Sequence, residues 1–139
     1  MAWRQLLRHA LCAWLAGATL AGFAQGFQSD SKRFGNPKMD IVVTEIERNP
    51  RSSVLNIDIK SVGSSVGSSF FLVCSLRDLA RQRGGFRHIV KLEGLSGGKQ
   101  MLVGFLAHAE EAPERLDARF AGQRAIDLEQ FAPICDQMK

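Results

Sequence analysis

Two cysteines, Cys74 and Cys135, have side chains that could form a covalent bond or attack a substrate. In an oxidising compartment an even pair of cysteines favours a disulfide. The alternative is a reactive thiol at Cys74, because a cysteine in the first half of a helix is slightly favoured as a thiolate. No CxxC motif is present, and neither cysteine has an adjacent histidine. We therefore expect a structural disulfide and keep a thiol-redox enzyme as the alternative.

Histidines and carboxylates could bind a metal or transfer protons. His88 and His108 would have to be adjacent to share an ion, and the strand register predicted below separates them by about 16 Å. An acidic cluster comprises Glu110, Glu111, Glu114 and Asp117. Paired carboxylates catalyse acid–base steps only where burial separates their pKa values. Since nothing indicates such burial, we expect a solvated acidic face and no metal or cofactor, with a metal carrier through His88 as an alternative.

Residues 61–69, SVGSSVGSS, form a serine- and glycine-rich loop that could present backbone N–H groups to an anion. The loop lacks the Lys-Ser/Thr of a P-loop and does not match GxGxxG. Residues 63–67 (GSSVG) fit GxSxG, and residues 29–32 and 96–99 fit SxxK, but no Ser/His/Asp arrangement can be named from the sequence, and HExxH is absent. The sequence thus predicts a flexible connection here and no catalytic residue.

A first β-hairpin is predicted by two stretches that flank the turn residues 49–52, NPRS. Residues 39–47 are rich in β-branched side chains, and residues 54–60 alternate between apolar and polar. With Arg48 opposite Ser53, one apolar face collects the pairs Ile46–Leu55, Thr44–Ile57 and Val42–Ile59.

A helix is predicted over residues 70–83, capped by Ser68 or Ser69 and ended by Gly84-Gly85. Its apolar stripe comprises Leu72, Val73, Leu76, Leu79 and Ala80.

A second hairpin is predicted from strands at 86–92 and 99–106. Pairing Leu92 with Lys99 directs inward Phe86, His88, Val90, Met101, Val103 and Phe105. The other face is apolar as well, so either both faces are covered or the second face meets a partner. Together with helix arginines, it supplies a candidate interaction patch of Arg77, Arg81, Arg87, Ile89, Leu102 and Leu106. Residues 113–131 fit a short helix or a strand equally well.

Residues 1–24 have the layout of a secretory signal peptide, with a basic start, an apolar run and the small-x-small triplet ending at Ala24. A retained membrane anchor is the alternative, although the apolar run is shorter than the 20 or so residues of a spanning helix. Cleavage after Ala24 would remove Cys12 and both tryptophans and leave 115 residues with a net charge of about +2. Such mild basicity does not favour a nucleic-acid partner, and we expect at most peripheral membrane contact.

Residues 70–92, FFLVCSLRDLARQRGGFRHIVKL, contain a helix that ends at glycine before an aromatic residue and an apolar strand. This unit resembles a layout in small exported proteins and lipoproteins of Gram-negative bacteria that have no assigned function. The lipidated cysteine of the lipoproteins is absent, because Phe23 occupies that place. The resemblance implies an accessory domain of the envelope and supplies no catalytic residue.

The sequence therefore predicts a signal peptide (1–24), a mobile arm (25–38) and one α+β domain (39–139). We expect a mostly antiparallel sheet in the order β-β-α-β-β, with one main helix packed on it and an ambiguous C-terminal segment. The expected function is that of an exported accessory or binding protein, periplasmic or secreted, without catalytic activity. Its partner is expected to be another envelope protein, or a second copy bound through the second hairpin.

Overall fold

A curled antiparallel sheet organises the fold over residues 26–138, which are the residues described by the computed structural model. Its six strands are β1 (Gln28–Asp30), β2 (Asp40–Asn49), β3 (Ser52–Ser61), β4 (His88–Gly94), β5 (Gln100–Leu106) and β6 (Ile126–Asp127). They are arranged in the order β1-β2-β3-β5-β4-β6. The predicted α+β class with an antiparallel sheet is confirmed. The predicted signal peptide, with Cys12 and both tryptophans, lies outside the described residues.

One long helix, α1 (Ser65–Gln82), contributes Phe71, Leu76 and Leu79 to a core shared with the sheet. The helix begins one turn before the predicted caps, because the hydroxyl of Ser64 accepts the N–H of Gly67 at 3.0 Å. Shorter helical segments are Ser31–Phe34, Leu95–Gly98, Pro113–Arg115, Ala118–Phe120, Leu128–Phe131 and the C-terminal helix Ala132–Gln137. No helix within residues 26–138 combines the length and the hydropathy needed to cross a membrane.

The first hairpin forms with Arg48 opposite Ser53, and Leu55 and Ile57 of β3 lie on the core side as predicted, but the predicted core face of β2 is wrong beyond the turn. A bulge at Ile46 inserts one extra residue into β2, so Glu45 rather than Ile46 lies opposite Leu55. Because side chains alternate along a strand, one extra residue exchanges the two faces. The buried side chains of β2 are Ile41, Val43 and Glu45, whereas Ile46 is 52% exposed.

The second hairpin also differs in register from the prediction. Leu92 lies opposite Leu102 instead of Lys99, because the connection between β4 and β5 is longer than expected. This connection includes the turn Leu95–Gly98, in which Ser96 and the neighbouring glycines have positive φ. The shift of three residues is odd and therefore inverts β4, so Ile89 rather than Val90 lies in the core under α1.

The second face of this hairpin is covered by the C-terminal segment. Phe120 is fully buried and forms a cluster with Val90, Leu102 and Leu106, while Leu116 packs against its edge. The apolar residues on both faces of the hairpin are therefore explained by cover within the chain. Ile89, Leu102 and Leu106 are at most 1% exposed, so these three residues of the candidate patch cannot form a surface.

Both chain ends contain strands that the sequence analysis did not assign. In the segment predicted as an arm, β1 pairs with β2 and is followed by a 3-10 turn. The ambiguous C-terminal segment is neither one helix nor one strand, because it consists of 3-10 turns, the two-residue strand β6 and a short helix. Strands of two or three residues are too short for a periodic signal.

The close approach of Phe120 to the sheet predicts that Gly104 has no room for a side chain. An added Cβ would lie 2.7 Å from the Phe120 ring, 3.0 Å from Val90 and 3.1 Å from Leu116. We expect Gly104→Ala to lower the free energy of unfolding by about 1–3 kcal/mol, measured by urea denaturation. In a Phe120→Leu background, where the facing side chain is smaller, the same Gly104→Ala substitution should lower the free energy of unfolding by less. A Gly104→Ala protein as stable as the wild type would contradict this packing.

Candidate functional site

The two cysteines join α1 to the C-terminal helix. The Sγ atoms of Cys74 and Cys135 are 2.09 Å apart, so the predicted pair lies at disulfide distance. The two residues are 2% and 3% exposed. Because thiol–disulfide exchange requires access to a sulfur atom, this burial disfavours the alternative of a reactive thiol.

Two of the three arginines of the candidate patch form ion pairs with the C-terminal segment. Arg77 is buried and contacts Asp136 of the C-terminal helix at 3.2 Å and Glu129 at 3.5 Å. Arg81 is exposed, and Arg87 donates two hydrogen bonds to Asp127 of β6 at 2.9 and 3.0 Å. Arg77 and Arg87 therefore attach the C-terminal segment, and the six predicted residues do not form one interaction surface.

Two carboxylates of the predicted acidic cluster, Glu111 and Asp117, pair with two different arginines. Glu111 binds Arg51 in the β2–β3 turn, and this bond together with the N–H of Ala107 lowers the pKa of Glu111 to about 2. Hydrogen bonds from the side chain and the backbone of Arg119 lower the pKa of Asp117 to about 2. Both groups remain carboxylates near neutral pH, so neither can donate a proton as a general acid.

The two histidines lie closer along the sheet than predicted. His88 is half-buried opposite Leu106, so His108 is two residues beyond its partner rather than five. The Nδ1 atom of His108 is 3.4 Å from a carboxylate oxygen of Glu110. Among the residues described here, no group of three or more histidine, cysteine or acidic side chains is arranged to hold a metal ion.

A buried charged cluster that the sequence analysis missed lies beneath the bulge. Glu45 accepts hydrogen bonds from Arg48 at 2.6 and 2.8 Å and from Ser53, and Arg83 from the end of α1 approaches at 3.4 Å. Burial raises the pKa of Glu45, but the hydrogen bonds from Arg48 and Ser53 outweigh it and lower the pKa. The Arg83 guanidinium also lies 4.9 Å from the centre of the Phe105 ring. This cluster attaches the helix to the hairpin.

The outer face of the sheet, opposite α1, contains an open groove of about 500 Å³. Val54 of β3 lies at its floor, opposite Leu102 of β5, which is almost fully buried beneath it. We call this feature the outer groove and define it by Ile46, Glu47, Asn49, Ser52, Val54, Leu95, Ser96, Gln100, Leu102, Asp117 and Arg119.

Three elements build the walls of the outer groove. The bulge supplies the exposed Ile46 and Glu47, the β4–β5 turn supplies Leu95 and Ser96, and the C-terminal segment supplies Asp117 and Arg119. Ser96 has a φ of 47°, a conformation that non-glycine residues rarely adopt and that is often found at binding sites. A mainly polar lining in which Ile46 and Val54 supply apolar surface suits a ligand that has both apolar and hydrogen-bonding parts.

Among the groove residues, Leu102 was predicted as part of an interaction patch and Asp117 as part of an acidic cluster, whereas most of the others were not predicted as site residues. The one available signal was the β4–β5 turn, whose glycines could have indicated a wide connection. Comparison with known proteins finds no matching family model, no similar curated protein and no similar solved structure.

The Arg51–Glu111 pair predicts an acid-dependent loss of stability. Because the pKa of Glu111 is lowered from 4.5 to about 2, its contribution is present above pH 4.5 and is lost as the pH falls toward 2. We expect Glu111→Gln to be less stable than the wild type at pH 6, with the difference shrinking between pH 4.5 and 2. Urea denaturation at a series of pH values measures this difference.

The control for this prediction is Glu110→Gln, which removes the same charge from a side chain that is 85% exposed. This variant leaves the Arg51–Glu111 pair intact, and its stability should follow the wild-type pH profile. A Glu111→Gln difference that is constant from pH 6 to pH 2 would show that the ion pair adds no stability.

Proposed function

We propose that this protein is an exported, non-catalytic binding protein of the bacterial envelope. It holds an extended segment of another envelope protein in the outer groove. The observation that carries this proposal is the exposed Ile46 beside Val54 in an open groove on the sheet face opposite α1.

The open shape of the outer groove favours a polypeptide segment over a small molecule. Small-molecule sites usually enclose 70–90% of the ligand surface, whereas this groove is open along one side. A segment of chain can place one apolar side chain between Val54 and Ile46. Its backbone can then hydrogen-bond to rim groups such as Asn49 and Gln100.

The charges of the rim indicate which residue should follow the apolar one. Glu47 and Asp117 are acidic and Arg119 is basic, and the Asp117–Arg119 pair is closed at 2.8 Å. Glu47 accepts one hydrogen bond from Asn49 at 3.0 Å and also attracts Arg119, so the two carboxylates of the rim exceed its one guanidinium by one negative charge. The groove therefore favours a segment in which a basic residue neighbours an apolar one.

Export is supported by the leader-like residues 1–24 and by the buried cysteine pair, because disulfides persist in oxidising compartments. The resemblance of residues 70–92 to small exported proteins agrees with this location.

We expect the protein recovered from the periplasm to show one mass that starts at Gln25 and is two hydrogens lighter than the reduced chain. A mass that retains residues 1–24, or that shows both thiols free, would contradict the export proposal.

The binding proposal is tested with two isoleucines of nearly equal exposure. Ile46 is 52% exposed in the outer groove, and Ile59 is 51% exposed near the other end of the first hairpin. A photo-crosslinking residue placed at each position in living cells should give a discrete protein adduct at 46 and none at 59. Mass spectrometry then identifies the crosslinked segment of the partner.

A synthetic peptide of that segment should bind the purified protein. We expect Ile46→Ala to weaken its binding about tenfold, since a central apolar contact contributes on the order of 1–2 kcal/mol. Ile59→Ala should bind like the wild type, and Glu47→Lys should weaken a segment that contains a basic residue. Equal crosslinking at both positions, or equal affinity of the two alanine variants, would exclude the outer groove as the binding site.

A further inference from the structure

Strand β4 has one edge that is only partly paired. On this side β6 pairs with His88 and Ile89, and the N–H of Leu128 bonds to the carbonyl of Arg87 at 2.9 Å. Within residues 26–138, no strand continues this pairing beyond Ile89. Because backbone groups alternate in direction along a strand, Lys91 and Glu93 also direct their N–H and C=O groups toward this open edge.

The charged residues of this edge lie on the face that carries α1. Lys91 and Glu93 form an ion pair at 2.5 Å, and their side chains are 31% and 60% exposed. A small apolar groove of about 130 Å³ separates them from the helix, lined there by Leu72, Val73 and Leu76.

We propose that the open edge of β4 is a self-association surface that binds β4 of a second copy of this chain. The two strands run antiparallel about a two-fold axis at Leu92, and the two sheets join into one of twelve strands. Lys91 then lies opposite Glu93 of the second copy, and Glu93 lies opposite its Lys91. These are hydrogen-bonded positions, so four backbone hydrogen bonds form.

The charges select this register and this partner. Moving the two-fold axis to Lys91 would place two lysines opposite each other, and moving it to Glu93 would place two glutamates opposite each other. Like charges directly opposite one another destabilise paired strands, whereas opposite charges stabilise them. An edge with one lysine and one glutamate two residues apart is thus complementary to itself.

This surface does not depend on the proposed function. The open edge belongs to β4, whereas the outer groove lies over β2, β3 and β5 on the face opposite α1. A groove that binds no peptide would leave the self-association intact, and a monomeric protein could still bind a peptide.

The test reverses each of the two charges in a separate variant. In Lys91→Glu, glutamates oppose each other in the homodimer, and in Glu93→Lys, lysines oppose each other. We expect the wild-type protein to show a concentration-dependent dimer in sedimentation equilibrium. The homodimer of each single variant should have a dissociation constant at least tenfold higher than that of the wild type. The control Glu110→Lys changes an exposed charge outside β4 and should dimerise like the wild type.

Mixing the two single variants separates a charge effect from misfolding. One copy then carries two glutamates and the other two lysines, so the mixture should form a heterodimer with an affinity near that of the wild type. The double variant Lys91→Glu/Glu93→Lys should also recover the homodimer. A wild-type protein that remains monomeric at millimolar concentration, a dimer unaffected by the single variants, or a mixture that fails to associate would each overturn the proposal.

Discussion

One extra residue in strand β2 connects the core of this protein to its outer groove. The bulge at Ile46 turns Glu45 into the core, where Arg48 and Ser53 donate hydrogen bonds to it and Arg83 lies nearby. A buried carboxylate is tolerated only with such partners. The same insertion places the exposed Ile46 in the groove wall. The buried charge that secures α1 to the sheet and the exposed apolar residue of the groove wall are thus two consequences of one backbone irregularity.

The opposite wall of the groove depends on how the C-terminal segment is attached. This segment has little regular secondary structure, and its position is determined by separate contacts along its length. The disulfide holds its end to α1, the Arg87–Asp127 pair holds its middle to β4, and Phe120 packs closely over Gly104. These contacts hold Asp117 and Arg119 beside the groove, which would reduce the ordering cost of the proposed binding.

The sequence predicted the elements better than their faces. Two hairpins, the helix and the cysteine pair follow from alternation, helical spacing and residue type, which are local signals. The bulge at Ile46 and the wide turn at Leu95–Gly98 have no clear local signal, yet each reverses which face of a strand is buried. Three residues of the candidate patch are buried for two such reasons: the turn moves Ile89 to the core face, and the distant Phe120 covers Leu102 and Leu106. Most of the groove residues were missed because three such segments build it.

The proposed self-association would place two outer grooves in one dimer. A two-fold axis that joins two β4 strands edge to edge is perpendicular to the sheet, so both outer faces remain on the same side of the dimer. Neither groove is covered, because Val54 and Leu102 lie on β3 and β5 rather than at the joined edge. Two grooves that face the same way can bind two segments of one repeated partner, and linked binding events raise the overall affinity by effective concentration alone. A shallow groove with modest affinity for one segment would then suffice for stable attachment to an oligomeric or repetitive envelope protein.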